Sequence, residues 1–109
     1  MKKTAYIITK QHTGELLEDS ILQPIAKGTH AAKVVALWFV EDGVYHLVKG
    51  GRSSKNLKLA LRDYNVKVFG CKLSIKNRNL QNVIVDGVEI GKFDDFYSIA
   101  LDADHIISF

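Results

Sequence analysis

The run Lys33-Val-Val-Ala-Leu-Trp-Phe-Val40 constrains this chain more than any other segment. Past its lysine it is apolar throughout, without the alternation of a strand that keeps one face in water, so both of its faces must be covered. Glu41-Asp42-Gly43 then stops it with turn residues. A strand of this kind belongs in the middle of a parallel sheet with helices packed above and below.

The rest of the sequence supplies the other layers. Residues 4–9 read as a first strand, and residues 15–26 as a helix with Leu17, Ile21 and Ile25 spaced by four, acids near its start and Pro24 set to kink or shorten it. One or two helical turns are expected from Gly43 to Val48. Ser54 is placed to cap a helix over residues 55–64 that buries Leu57, Ala60, Leu61 and Tyr64. Residues 66–70 read as a third strand, 73–82 as a weak helix with several asparagines, 88–90 as a fourth strand, 93–102 as an amphipathic helix and 105–109 as a fifth strand. Strand and helix alternate throughout. The expectation is an α/β fold: one flavodoxin-like domain over residues 1–109, with a five-stranded, mostly parallel sheet in the order 2-1-3-4-5 and helices on both faces.

Composition removes several classes of function. In 109 residues the net charge is +3, but acids and bases are interspersed and no block of five like charges occurs, which argues against nucleic acid as a partner. No apolar run approaches the roughly 18 residues that span a bilayer, and the apolar stretch after Met1-Lys2-Lys3 is too short for a secretory signal. A cytoplasmic protein is expected, without a membrane partner. The aspartates at 42, 94, 95, 102 and 104 read as turn and helix-start residues, and neither metal nor cofactor is expected.

One cysteine is present, Cys71, in Val66-Lys-Val-Phe-Gly-Cys-Lys-Leu-Ser74. It has no partner for an internal disulfide, so it is either a small buried hydrophobe or a reactive thiol in a reducing compartment. Context favours reactivity. Gly70 breaks the strand and leaves room for another group to approach the backbone, while Lys72, Lys76 and Arg78 follow with positive charge that favours a thiolate nucleophile. In the order 2-1-3-4-5 the first and third strands are neighbours whose loops part to open a crevice. Lys10 and His12, leaving the first strand, are then expected across from Cys71, and with Gly70 and Lys72 they complete a candidate substrate-binding set.

The stretches "FVEDGVYHL", "VKVFGCKLS" and "GVEIGKFDDFYSIALDADHIISF" together resemble the DsrE/DsrF-like family of small sulfur-relay proteins, over nearly the whole chain. The resemblance implies that Cys71 accepts sulfane sulfur as a persulfide and passes it to a partner thiol. It also implies sulfur donor and acceptor proteins as partners, and assembly into a homotrimer, a homohexamer or a mixed complex. With no second cysteine in the chain, any resolving thiol belongs to a partner, which suits a carrier more than an oxidoreductase acting alone.

Two other readings compete. His12, His46 or His105 paired with Cys71 would make a cysteine-nucleophile hydrolase, but no acidic orienter stands at an informative spacing. The loop Thr9-Lys-Gln-His-Thr-Gly14 lies where a flavodoxin wraps a phosphate, so the alternative from a different class is a small nucleotide- or flavin-binding module without sulfur chemistry.

Overall fold

The structure is a computed structural model that describes residues 2–109. Strands β1 (Lys3–Ile8), β2 (Lys33–Phe39), β3 (Lys67–Cys71), β4 (Glu89–Gly91) and β5 (His105–Ser108) form one sheet, and every pairing in it is parallel. The helical segments are α1 (Gly14–Leu17), a π-helical turn (Glu18–Leu22), α2 (Gln23–Ala26), a 3-10 segment (Glu41–Leu47), α3 (Ser54–Asp63), α4 (Lys72–Asn77) and α5 (Phe93–Ala100). The α/β class, the five parallel strands and the helices on both faces are as expected. As the sequence of β2 requires, Ala36, Leu37, Trp38 and Phe39 are all buried.

The sheet order is β4-β3-β2-β1-β5, in place of 2-1-3-4-5. Right-handed crossovers fix on which face a helix lies once the sideways direction of the step is given, but they do not fix that direction. Here β1 to β4 step the same way one after another, so the helical segments between them share one face. Only α5 carries the chain back across the sheet to set β5 beside β1. Leu17, Leu22, Leu57, Ile75 and Leu47 pack on one face against Ile8, Leu37, Phe39 and Val68. The other face holds a smaller core of Ala5, Ala36, Trp38, Phe69, Phe96 and Ala100.

A single helix covers that second face, so it uses aromatic volume. Phe96 is fully buried, worth about 1.5–3 kcal/mol for the ring, and stacks on Trp38 at 6.0 Å while meeting Phe69 edge-on at 6.2 Å. The cover is incomplete. Phe93, Tyr97 and Leu101 along α5, and Ile106 and Ile107 on β5, remain 44–62% exposed.

Pro24 reshapes the helix over residues 15–26 as expected, though by widening it. Proline has no N–H to give to Ser20 and its ring would crowd that carbonyl, so the preceding turn opens and Gln23 N–H donates five residues back to the Glu18 carbonyl. Glu18 is buried in that turn. Ser53 Oγ donates to its Oε2 at 3.0 Å, and Asn56 Nδ2 donates to its Oε1. With Ser53 spent on Glu18, α3 starts one residue early, at Ser54, without a side-chain cap.

Candidate functional site

Cys71 is the last residue of β3 and the residue that caps α4. Its backbone is extended, at φ −65° and ψ 118°, so the side chain turns back over the first turn of the helix, where Sγ accepts a hydrogen bond from Ser74 N–H at 3.5 Å. Cys71 is partly exposed and is not part of a disulfide. A sulfur in this position is held by a backbone donor on one side and is open to solvent on the other.

On the open side lies a groove of about 550 Å³. Trp38 and Val40 from β2 and its end, Leu73 from α4 and Phe93 from α5 give it apolar walls; Lys72, Lys76 and Lys92 stand around it. None of these three lysines is ion-paired among the described residues. Positive charge therefore lines the groove beside the sulfur and attracts anionic reactants.

Arg78 is a different matter. Its guanidinium donates twice to Asp42 Oδ1, at 2.9 and 3.1 Å, once to the Ser74 carbonyl at 3.1 Å, and reaches Glu41 at 3.6 Å. The hydrogen bond with Asp42, ahead of the nearby charge of Glu41, holds Arg78 above the usual guanidinium range. It also lies 6.0 Å over the Tyr45 ring. The sequence suggests Arg78 as a charge beside the thiol; the structure uses it to bind α4 to the 3-10 segment.

Two further contacts fix that segment. Glu41 takes a left-handed backbone at φ 54°, which costs about 1–2 kcal/mol for a residue with a Cβ, and its N–H is then aimed at Ser74 Oγ, 2.9 Å away. Gly43 lies so close to β1 that a Cβ there would meet the Ile8 carbonyl oxygen at 2.1 Å. Only glycine lets the segment seat on the end of the sheet.

The structure brings together part of the expected site. Lys72 lines the groove beside Cys71. Gly70 sits one residue behind in β3, buried under α4, where a Cβ would meet Ile75 Cδ1 and Leu47 Cδ1 at 2.8 Å each, so its role is to let the helix and the 3-10 segment close over the strand. Lys10 and His12 do not line the groove. Because β2 separates β1 from β3, the loop after β1 opens on a different part of the rim, where the Lys10 carbonyl accepts from His46 Nε2 at 2.8 Å. His46 and His105 are absent from the groove as well, so no imidazole stands as a base for Cys71. Ser74, Lys92 and Trp38 are the residues the sequence did not single out. Ser74 had a signal: it stands three residues after Cys71, the spacing at which a capping side chain meets a helix amide.

Known proteins bear on this arrangement. The chain is similar in structure to the ychN protein from E. coli, whose crystal structure superposes with a TM-score of 0.75 at 24% identity, covering 100% of both chains, which shows the shared fold. No curated protein matches the sequence. The model of the DsrE/DsrF-like family matches residues 2–109, from the second residue to the last, and includes β3, Cys71 and the elements around them. This chain belongs to the DsrE/DsrF-like family.

Proposed function

We propose that the protein is a sulfur-relay carrier in which Cys71 accepts sulfane sulfur and hands it to a partner protein. The observation that carries this reading is a partly exposed thiol, hydrogen-bonded by Ser74 N–H, at the edge of an open groove set about with three unpaired lysines. In the loading step the Cys71 thiolate attacks the outer sulfur of a donor persulfide; a new S–S bond forms at Cys71 as the donor's S–S bond breaks and the donor leaves as a thiolate. In the unloading step an acceptor thiolate attacks the outer sulfur now on Cys71, and Cys71 leaves as a thiolate. No net oxidation occurs in either direction. One cysteine suffices, and donor and acceptor are separate proteins that dock in turn at the groove.

In this reading Lys72, Lys76 and Lys92 stabilise the charge that stays on sulfur, since a persulfide is anionic at neutral pH and solvent alone would leave it free to react elsewhere. A reactive thiol with no disulfide partner in the chain suits a reducing compartment, which supports a cytoplasmic location. No helix among the described residues is long and apolar enough to cross a membrane. The exposed apolar residues of α5 and β5 support assembly of the chain with copies of itself, as a trimer or hexamer.

Cys71→Ser tests the proposal. Serine keeps the size and is a better helix cap than cysteine, so the variant is expected to retain its circular dichroism spectrum and melting temperature while taking up no sulfur from a persulfide donor. Uptake equal to that of the parent protein would overturn it.

A further inference from the structure

A second pocket opens on the same rim of the sheet, separate from the groove at Cys71. It encloses about 250 Å³ between the loop after β1, the end of the 3-10 segment and the start of α3, and is lined by Gln11, Gly14, Tyr45, His46, Arg52 and Ser53. Its chemistry is the reverse of the groove's. Apart from the tyrosine ring the lining side chains are polar, and one of them is a guanidinium.

Three observations converge there. Arg52 makes neither an ion pair nor a hydrogen bond among the described residues, whereas Arg62 and Arg78 each hold a carboxylate. The one acid buried beside the pocket, Glu18, is already bound by Ser53 Oγ and Asn56 Nδ2 and is not turned to Arg52. Finally, the side chain missing at Gly14 leaves a space with two nitrogens at its edge: the position a Cβ would take is 3.9 Å from Arg52 Nη1 and 3.9 Å from His46 Nδ1.

His46 is oriented by its other nitrogen. The Lys10 carbonyl can only accept, so Nε2, 2.8 Å away, donates to it, and Nδ1 is the nitrogen left facing the space at Gly14. A ligand between Arg52 and His46 then needs one oxygen that accepts from a guanidinium and another that pairs with an imidazole nitrogen. A phosphate group, anionic and with several oxygens, offers both.

We infer that the Gly14–His46–Arg52 pocket binds a phosphate group, either as free inorganic phosphate or as the phosphate of a small monoester. The inference stands apart from the sulfur-relay reading, because the pocket and Cys71 share no lining residue. Arg52 supplies charge-assisted hydrogen bonds, His46 Nδ1 meets a second oxygen, and Gly14 leaves the room.

An NMR titration of the whole protein with inorganic phosphate, at constant ionic strength made up with chloride, tests this. Saturable shifts are expected at Gly14, His46 and Arg52. Arg52→Gln should weaken binding by about tenfold or more, the loss of one charge-assisted pair. Gly14→Ala should do the same by filling the space, and this variant keeps its fold: the new Cβ meets its first neighbour, His46 Cε1, at 3.4 Å, and alanine is the better helix former. A simple phosphomonoester that binds more tightly than phosphate assigns the pocket to a larger ligand's phosphate; equal binding assigns it to the free ion. Absence of saturable shifts at tens of millimolar phosphate, or shifts that persist in both variants, would overturn the inference.

Discussion

The Glu41 N–H donates to Ser74 Oγ at 2.9 Å, while the N–H of the same serine is aimed at Cys71 Sγ at 3.5 Å. Ser74 therefore links the segment that follows β2 to the thiol that ends β3. Its hydroxyl holds the 3-10 segment down on α4, and its amide meets the sulfur. Because Ser74 is buried, the link is shielded from competing water.

Ser74→Ala removes the hydroxyl but keeps the amide. The Glu41 N–H then loses its partner in a partly buried place while the residue still bears its left-handed backbone. A stability loss of about 1–3 kcal/mol is expected in urea denaturation. Sulfur uptake at Cys71 should persist, since the amide remains. A variant as stable as the parent would show that the Glu41–Ser74 bond does not secure the segment.

Gly43→Ala should be far more damaging. Its methyl group would lie 2.1 Å from the Ile8 carbonyl oxygen, a backbone atom at the end of β1 that is held by the Val40 N–H at 3.0 Å and cannot swing aside. A loss of about 3 kcal/mol or more is expected, measured as a lowered melting temperature or as failure to recover folded protein. A melting temperature within experimental error of the parent's would contradict the seating of the 3-10 segment on β1.

Asp104 should give the fold a dependence on acid. Its carboxylate accepts from Lys3 N–H at 2.8 Å at the start of the β1–β5 pairing, and that hydrogen bond first, then the positive charges of Lys2, His105 and Lys3, lowers its pKa below the usual aspartate value. A carboxyl whose folded pKa lies below its unfolded value adds stability that is full above the ordinary carboxylate range and is lost as pH falls through the folded pKa. Asp104→Asn should therefore be less stable than the parent at neutral pH, with the gap closing as the solution is acidified below that range. A gap that stays constant with pH would contradict the assignment.

The exposed rings and aliphatic side chains of α5 and β5 should be covered in solution by further copies of the chain. Light scattering across a dilution series is expected to give three or six times the 12.2 kDa of one chain. Tyr97→Asp, in the middle of the exposed face of α5, should lower that mass without unfolding the monomer. A stable monomer of the parent protein at micromolar concentration would contradict the assembly.

Much of this was legible in the sequence because strands buried on both faces show as unbroken β-branched and aromatic runs, as in β1 and β2. The position of Cys71 was legible for a similar reason, since Gly70 and the lysines after it mark the end of a strand. The sheet order was not. The hand of a crossover is fixed by chain chirality, but whether the chain steps left or right depends on which helix faces fit which strands, and that is a property of the whole core. The expected meeting of His12 with Cys71 depended on that order and does not occur. Helix ends carried a signal that the periodicity of apolar residues hides. Asn65 and Asn79 both take left-handed backbones, at φ 54°, two residues past α3 and α4, where asparagine can stop a helix as glycine does. The asparagines after Leu73 thus mark the C-terminal end of a short α4.

The central claim is that sulfur resides covalently on one thiol. Mass spectrometry of the protein after exposure to a persulfide donor, followed by peptide mapping, measures this directly. The account predicts a gain of about 32 Da, one sulfur atom, confined to the peptide that carries Cys71 and removed by an acceptor thiol. No gain under conditions that load a reference persulfide carrier, or a gain that persists in Cys71→Ser, would contradict it.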